Sequence, residues 1–441
     1  MRKLNKIAYG YGDLGLSISW TIVGFYFMYY LTDVALINPA WVGGAILVGR
    51  LWDAFSDPIF GRFSDRTSTR FGRRRPFILG AAIPYGLSFF LLWIVPDTTP
   101  TIKLIYVVFF FLFHTTASTA YSVPYTALTP ELAKTYDDRT SLNAYRMFFS
   151  ILGGLIAGAV PAFIVQMIGN ESKGYAFMGL LFGLFIITSP IIVFLFTKES
   201  TEKHLSKKKL FEALKDIIQN KPFIYAVLMF FFTWTGVNVV SATIIYFATY
   251  VMDRKNEIGI LIGLLFLSSI AFLPLWVKIS GKLEKRRAYQ VGMLELICCL
   301  LLIAFFGDIL NDVWLYVMVI ITGFGVSAAH ILPFSILPDA VEYDRVISGE
   351  KREGMYYGLS TFFQKLGTSL MLFVVGVSLE LAGYVPNIPQ EPHVLLTIRI
   401  LFGVFPAALF LTGIILMIPY PIDRNFQKNM FKGNEKSHED I

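Results

Sequence analysis

Twelve apolar runs of about twenty residues or more limit what this chain can fold into more than any single motif does. Their approximate limits are 9–32, 41–61, 76–96, 103–128, 142–167 and 175–197 in the first half. In the second half they are 222–251, 257–280, 288–307, 312–337, 355–383 and 394–420. A helix of about twenty residues is about 30 Å long, the thickness of a bilayer's hydrocarbon layer. One large soluble core would not repeat that length twelve times. Composition agrees: 55% of residues are hydrophobic and only 16% are charged, against roughly 45–50% and 25% in soluble domains. The expected fold is therefore an all-α membrane protein, with twelve transmembrane helices in two six-helix bundles.

The loops alternate in charge. Arg2, Lys3 and Lys6, then Arg62, Arg66, Arg70 and Arg73 to Arg75, then Lys207 to Lys209, then Lys282 to Arg287, all fall on one side of a twelve-span layout. The other side holds little beyond Lys103, Lys173, Arg254 and Lys255. The positive-inside rule then places both termini in the cytoplasm of a plasma-membrane protein. This spread accounts for the net charge of +7 without any nucleic-acid partner. The long loop 198–221 separates two bundles, 1–197 and 222–421, with a cytoplasmic tail over 422–441. Leu205, Leu210, Leu214 and Ile217 suit either a short amphipathic surface helix or a solvated linker. Cys298 and Cys299 are adjacent and point apart on a helix, so they form no disulfide framework. No cleavable signal sequence is expected.

The halves resemble each other. Val123-Pro-Tyr-Thr-Ala-Leu-Thr-Pro130-Glu131 follows span 4, and Leu332-Pro-Phe-Ser-Ile-Leu-Pro338-Asp339 closes span 10. Gly61-Arg-Phe-Ser-Asp65-Arg66 and Ser280-Gly-Lys-Leu-Glu284-Lys285 likewise follow spans 2 and 8. Such repeats are common in secondary transporters.

Inside this apolar frame a few charges stand out. Arg50, Asp53 and Asp57 recur at i, i+3 and i+7 in span 2, so they share one helix face. Each costs about 2.5–3.5 kcal/mol at the bilayer centre on insertion scales. Two carboxylates one turn apart repel unless a proton or cation lies between them, and their oxygens suit a hard monovalent ion. Arg50 is their charge partner when the ion is absent; a buried ion pair that merely staples helices would have the same spacing. Pro58 is expected to break the helix beside Asp57. Asp13 begins span 1 among three glycines, Gly10, Gly12 and Gly15, which permit close helix approach. It suits the cation site, a substrate hydroxyl or the membrane interface. Thr115, Ser118, Thr119 and Ser122 line one face of span 4. Interhelical hydrogen bonding explains most of them, and Thr119 is the best candidate ion ligand. His114 beside them reads as a packing residue. Arg146 enters span 5, and Lys365 lies two to three turns into span 11, too deep to reach the cytoplasm easily. Aromatic residues crowd span 1, among them Trp20 and Tyr26, and span 7. Rings stack on sugars but also fill cores. No P-loop, catalytic triad or metal-ligand cluster is present, which argues against an enzyme.

These residues place the chain close to a known family. Tyr9-Gly-Tyr-Gly-Asp-Leu-Gly15, Tyr29-Tyr-Leu-Thr-Asp33-Val34, Arg50-Leu-Trp-Asp-Ala-Phe-Ser-Asp-Pro58, Gly72-Arg-Arg-Arg-Pro-Phe77, Leu337-Pro-Asp339-Ala-Val-Glu-Tyr343 and Gly354-Met-Tyr-Tyr-Gly358 span nearly the whole sequence. Together they resemble the glycoside–pentoside–hexuronide:cation symporters of the major facilitator superfamily. The resemblance implies a Na⁺, Li⁺ or H⁺ site at Asp53 and Asp57, with Thr119 as hydroxyl ligand. It also implies charged cavity positions at Arg50 and Lys365, and a sugar-site position at Arg146. The two carboxylates that hold galactoside in melibiose permeases fall at Ser17 and Ser122. Asp138-Arg-Thr-Ser-Leu-Asn-Ala-Tyr-Arg-Met147 and Tyr420-Pro-Ile-Asp423 also resemble the sodium-dependent lysophosphatidylcholine symporters.

The expected function is cation-coupled symport by alternating access, with no cofactor beyond the coupling ion. The expected substrate is a sugar or glycoside, held by Asp13, Ser17, Tyr26, Ser122, Arg146 and Lys365; a lysophospholipid or other amphiphile is the alternative. Asp65, Arg66, Arg70 and Arg73 are expected to latch the cytoplasmic gate. A monomer in the lipid bilayer is expected. A non-transporting receptor is the rival class, and would not need the paired carboxylates of span 2.

Overall fold

The computed structural model describes residues 3–133, 136–198, 220–348 and 353–422. Twelve long helices and no strand occur among the described residues. In the first half, α1 (Lys3–Ile22) continues through π-helical turns at Val23–Phe27 and Tyr30–Val34. It is followed by α2 (Pro39–Arg66), α3 (Arg75–Leu91), α4 (Pro100–Ala127), α5 (Tyr136–Ile168) and α6 (Glu171–Phe196). In the second half, α7 (Lys221–Tyr246) continues through a π-helical turn at Phe247–Val251. Then come α8 (Ile258–Leu283), α9 (Lys285–Phe306), α10 (Asp312–Ser348), α11 (Glu353–Leu381) and α12 (Pro392–Arg399), which continues to Leu416. Among the described residues, nine helices are long and apolar enough to cross a membrane by length and composition alone. The first two long helices carry the polar residues discussed above, and α3 is shorter.

Start signals agree with the sequence. Pro39, Pro76 and Pro100 stand in the first turn of α2, α3 and α4, where no N–H is needed. The Asn38 and Asn170 side chains cap α2 and α6, accepting from the Ala40 and Lys173 amides at 3.0 Å each. Pro58 does not break α2, which runs on to Arg66. A proline inside a membrane helix removes one backbone hydrogen bond, and the turns on either side keep theirs. The surface helix expected within 198–221 and the tail beyond residue 422 lie outside the described residues.

The chain forms two compact units. The first comprises Met1–His204, Ser241–Phe266 and Ser369–Ile398, and the second comprises Leu205–Val240, Leu267–Thr368 and Arg399–Ile441. Within the first, α1 packs along α5 and α6, α3 along α6, and α4 against α2 and α3. The glycines of α1 make this packing close. A Cβ at Gly10 would lie 2.8 Å from the Tyr145 carbonyl oxygen, and one at Gly15 would lie 2.6 Å from Ser189 Oγ. The bare Gly15 amide donates to that same oxygen at 3.1 Å. Within the second unit, α9 packs along α10 and α12.

The internal repeat carries contacts as well as sequence. After α4, Glu131 accepts from Arg73 and Arg74 at 2.7 Å each, just before α3. In α10, Asp339 accepts at 2.6 Å from Lys285, the first residue of α9. In each half, then, the acid closing the fourth span is tied to a base at the start of the third.

Candidate functional site

The α2 stripe faces α4. Asp53 is buried and Asp57 half-buried, and both reach Thr119, which is 1% exposed. Thr119 Oγ1 is 2.8 Å from Asp53 Oδ1 and 3.1 Å from Asp57 Oδ1. Ser56, between the two acids on α2, donates to the same hydroxyl at 3.3 Å. One hydroxyl proton serves one acceptor at a time. Two carboxylates so placed repel unless positive charge lies near them, which Arg50 in the same cavity, a proton or a bare monovalent cation would each supply. Among the described residues there is no cluster of three or more acid, histidine or cysteine side chains that would hold a transition metal.

One turn before Asp53, Arg50 turns into a cavity of about 20 Å³ shared with Asp53, Ser19, His114, Thr115 and Ser118. That volume admits one water molecule or one bare ion. Arg50 Nε is buried there without a hydrogen-bond partner. His114 uses both ring nitrogens, on Ser19 at 3.0 Å and Ser88 at 3.2 Å, and stacks on Tyr85 with ring centroids 5.4 Å apart. These contacts describe a packed, satisfied histidine.

Asp13 does not stand with the α2 acids. It forms an ion pair with Arg146 of α5. Tyr125 and Tyr9 flank the guanidinium, whose carbon lies 5.3 and 6.0 Å from their ring centroids. Each of these tyrosines donates to the other's backbone carbonyl at 2.7 Å. Ser17 and Tyr26 also point to α5: Ser17 donates to the Ser150 carbonyl at 2.6 Å and Tyr26 to the Gly158 carbonyl at 2.5 Å. Ser122 is half-buried on α4, and its carbonyl accepts from Thr126. Lys365 lies on α11, in the part belonging to the second unit.

Among the residues expected at the gate, Asp65 and Arg73 are ion-paired, Asp65 with Arg74 at 3.2 Å and Arg73 with Glu131. Arg66 and Arg70 are exposed, and Arg70 lies over the Phe71 ring at 4.6 Å. The sequence reading missed that Arg74 and Glu131 are central, since Arg74 joins both acids. Both residues stood in quoted motifs, but only the fold shows that the two motifs meet.

The chain matches the model of the MFS/sugar transport protein family over residues 8–424. It is 30% identical to an uncharacterised symporter of Synechocystis sp., over 95% of this chain and 94% of the relative. It is 27% identical to the sodium-dependent lysophosphatidylcholine symporter 1 of Gallus gallus, over 99% and 89%. Its fold matches the crystal structure of a bacterial homologue of the human lysosomal transporter Spinster, with a TM-score of 0.68 at 12% identity, covering 96% of this chain and 97% of that one. A helical membrane protein with this fold and a family match over nearly its whole length is a transporter, and the chain belongs to the MFS/sugar transport protein family.

Proposed function

We propose that the chain is a secondary active symporter that couples entry of one Na⁺, Li⁺ or H⁺ at Asp53 and Asp57 to movement of an amphiphile of the lysophospholipid class. The observation that carries the coupling is the convergence of both α2 carboxylates on the buried Thr119 hydroxyl of α4. Ion binding neutralises the pair and so favours the conformations in which it is sealed from water, the basis of alternating access. The substrate class rests on two supports. The lysophosphatidylcholine symporter of Gallus gallus aligns over 99% of this chain. In addition, the polar groups that would hold a sugar are occupied within the protein: Ser17 on a backbone carbonyl and Arg146 on Asp13. A sugar or glycoside is the second reading, favoured by the description of the matching family. Both readings take the protein to be a plasma-membrane monomer with cytoplasmic termini.

The test is uptake into proteoliposomes of labelled lysophosphatidylcholine and, separately, of a galactoside, each with an inward Na⁺ or H⁺ gradient. Gradient-driven lysolipid uptake, lost in Asp53→Asn and in Asp57→Asn, is the expected result. Galactoside uptake alone retires the lipid class. Uptake of either substrate that survives both substitutions overturns the coupling site.

A further inference from the structure

The π-helical end of α1 holds a second buried acid, remote in sequence from the α2 stripe. Thr32 and Asp33 are 1% and 3% exposed. Asp33 Oδ1 accepts from Tyr384, just beyond α11, at 2.6 Å, and from Tyr250 at the end of α7. Its Oδ2 accepts from Thr32 at 2.6 Å, and Thr32 in turn meets Tyr246 of α7 at 2.7 Å. Asn387 completes the cluster. Its side chain donates to the Asp33 carbonyl at 2.8 Å and its amide to Tyr250 Oη at 2.9 Å. All of these residues belong to the first unit. Four hydroxyl and amide groups thus converge on Asp33, three of them on its carboxylate, and no ion pair to Asp33 is among the contacts of the described residues.

The charges around the cluster are engaged elsewhere. Lys255, whose ammonium lies 5.7 Å from the Tyr29 ring centroid, pairs with Glu171 of α6. Arg254 pairs with Glu257. Lys103 of α4 pairs with Asp97 and donates to the Ala35 carbonyl, each at 3.0 Å. Glu380 of α11 accepts from the Ala40 amide at 3.3 Å. The remaining titratable neighbours are tyrosines, including Tyr29 and Tyr175. A carboxylate buried without a direct ion pair favours its neutral form. Burial pushes the Asp33 carboxyl up to about 6, although Thr32, Tyr250 and Tyr384 donate to it and the more distant Lys255 charge also favours its ionised form. In water it would titrate near 3.9. The closed cluster therefore binds the proton more tightly than an opened, hydrated one, and acid stabilises closure.

We propose that Asp33 is a proton-binding site, separate from the α2 constellation, whose proton holds the α1, α7 and α11 ends together and whose loss to water favours their parting. The site does not depend on which ion or substrate the transporter carries. Between pH 5 and pH 8 the ratio of parted to closed cluster rises about tenfold, since the closed form gives up its proton across that range and the hydrated form has already lost it.

The test uses the full chain in lipid nanodiscs, with Cys298→Ser and Cys299→Ser to clear native thiols. Spin labels go on Leu36→Cys and Ile388→Cys, at positions 56% and 49% exposed on either side of the cluster. Pulsed electron resonance then reads their separation against pH. The expected result is a ratio of longer- to shorter-distance populations that grows about tenfold from pH 5 to pH 8, with a midpoint near 6. Asp33→Asn, which mimics the protonated acid, is expected to hold the short distance at every pH. Tyr384→Phe removes a donor that favours the ionised form and moves the midpoint upward, and it serves if Asp33→Asn does not fold. A distance independent of pH in the parent overturns the proposal. So does a parent-like response in Asp33→Asn, or a Tyr384→Phe midpoint that stays or falls.

Discussion

Removal of the Thr119 hydroxyl gives the sharpest test of the α2–α4 constellation. Thr119 is 1% exposed, and its oxygen lies 2.8 and 3.1 Å from two carboxylate oxygens. A hydrogen bond to a charged partner contributes about 1.5–3 kcal/mol, and an oxygen that ligates an ion there is worth a similar amount. At about 1.4 kcal/mol per decade, Thr119→Ala should weaken cation binding by roughly 10- to 150-fold. Thr119→Ser keeps the oxygen and loses only a methyl group, so its affinity should return to within about fourfold of the parent, the methyl costing under about 0.8 kcal/mol. Trp20 borders the cavity beside Asp53, and Trp52 of α2 donates to Thr116 at 2.8 Å, so tryptophan fluorescence is a natural reporter. Na⁺ and Li⁺ are titrated against choline at fixed ionic strength, and H⁺ by pH. If Thr119→Ala binds every cation within twofold of the parent, Thr119 is not a ligand. The constellation would then be a staple between α2 and α4.

Two further outcomes concern packing and charge. A Cβ at Gly86 of α3 would stand 2.3 Å from the Gly183 carbonyl oxygen of α6, a backbone atom that cannot swing aside, whereas one at Gly80 meets nothing within 4 Å. Gly86→Ala should therefore cost about 1–3 kcal/mol and lower the thermal midpoint, while Gly80→Ala should leave it unchanged or raise it; equal effects would refute the close α3–α6 crossing. Asp13→Asn and Arg146→Gln each strand a half-buried charge and should each cost about 1–3 kcal/mol. The double variant should cost less than their sum by at least about 1 kcal/mol, measured as unfolding in detergent, and strict additivity would deny the pair.

The helices were legible because apolar length is a one-dimensional property. The expected limits 222–251 match α7 and its π-helical turn to within one residue. What depends on distant partners was not legible. The spacing of Arg50, Asp53 and Asp57 shows a shared face, but not that Thr119 lies opposite; the hydroxyl face of span 4 and the resemblance made Thr119 a candidate, and only the fold brings it to both acids. Asp13 had three open readings, and its observed partner, a guanidinium 133 residues away, was named in none of them. Asp33 stood in a quoted motif, yet its donors Tyr250 and Tyr384 are 217 and 351 positions distant. Pro58 failed as a stop signal because rules for helix ends come from chains in water. In a bilayer, leaving the helix costs several backbone hydrogen bonds, and keeping it costs one.

The π-helical turns of α1 also bear on how this chain tolerates change in length. Such a turn holds one residue more than an α-helical turn does. Deleting one residue between Val23 and Phe27 would close the wide turn into an ordinary α-helical one and leave the residues beyond on nearly their present faces. The same deletion in the regular helix before Val23 would turn everything beyond by about 100°, the angle between successive helical residues. Asp33 would then face away from Tyr250 and Tyr384, although every side chain in the cluster remained in the sequence. The wide turns are therefore the places in α1 where a change of one residue in length should be accepted, and the regular helix before them the place where it should not.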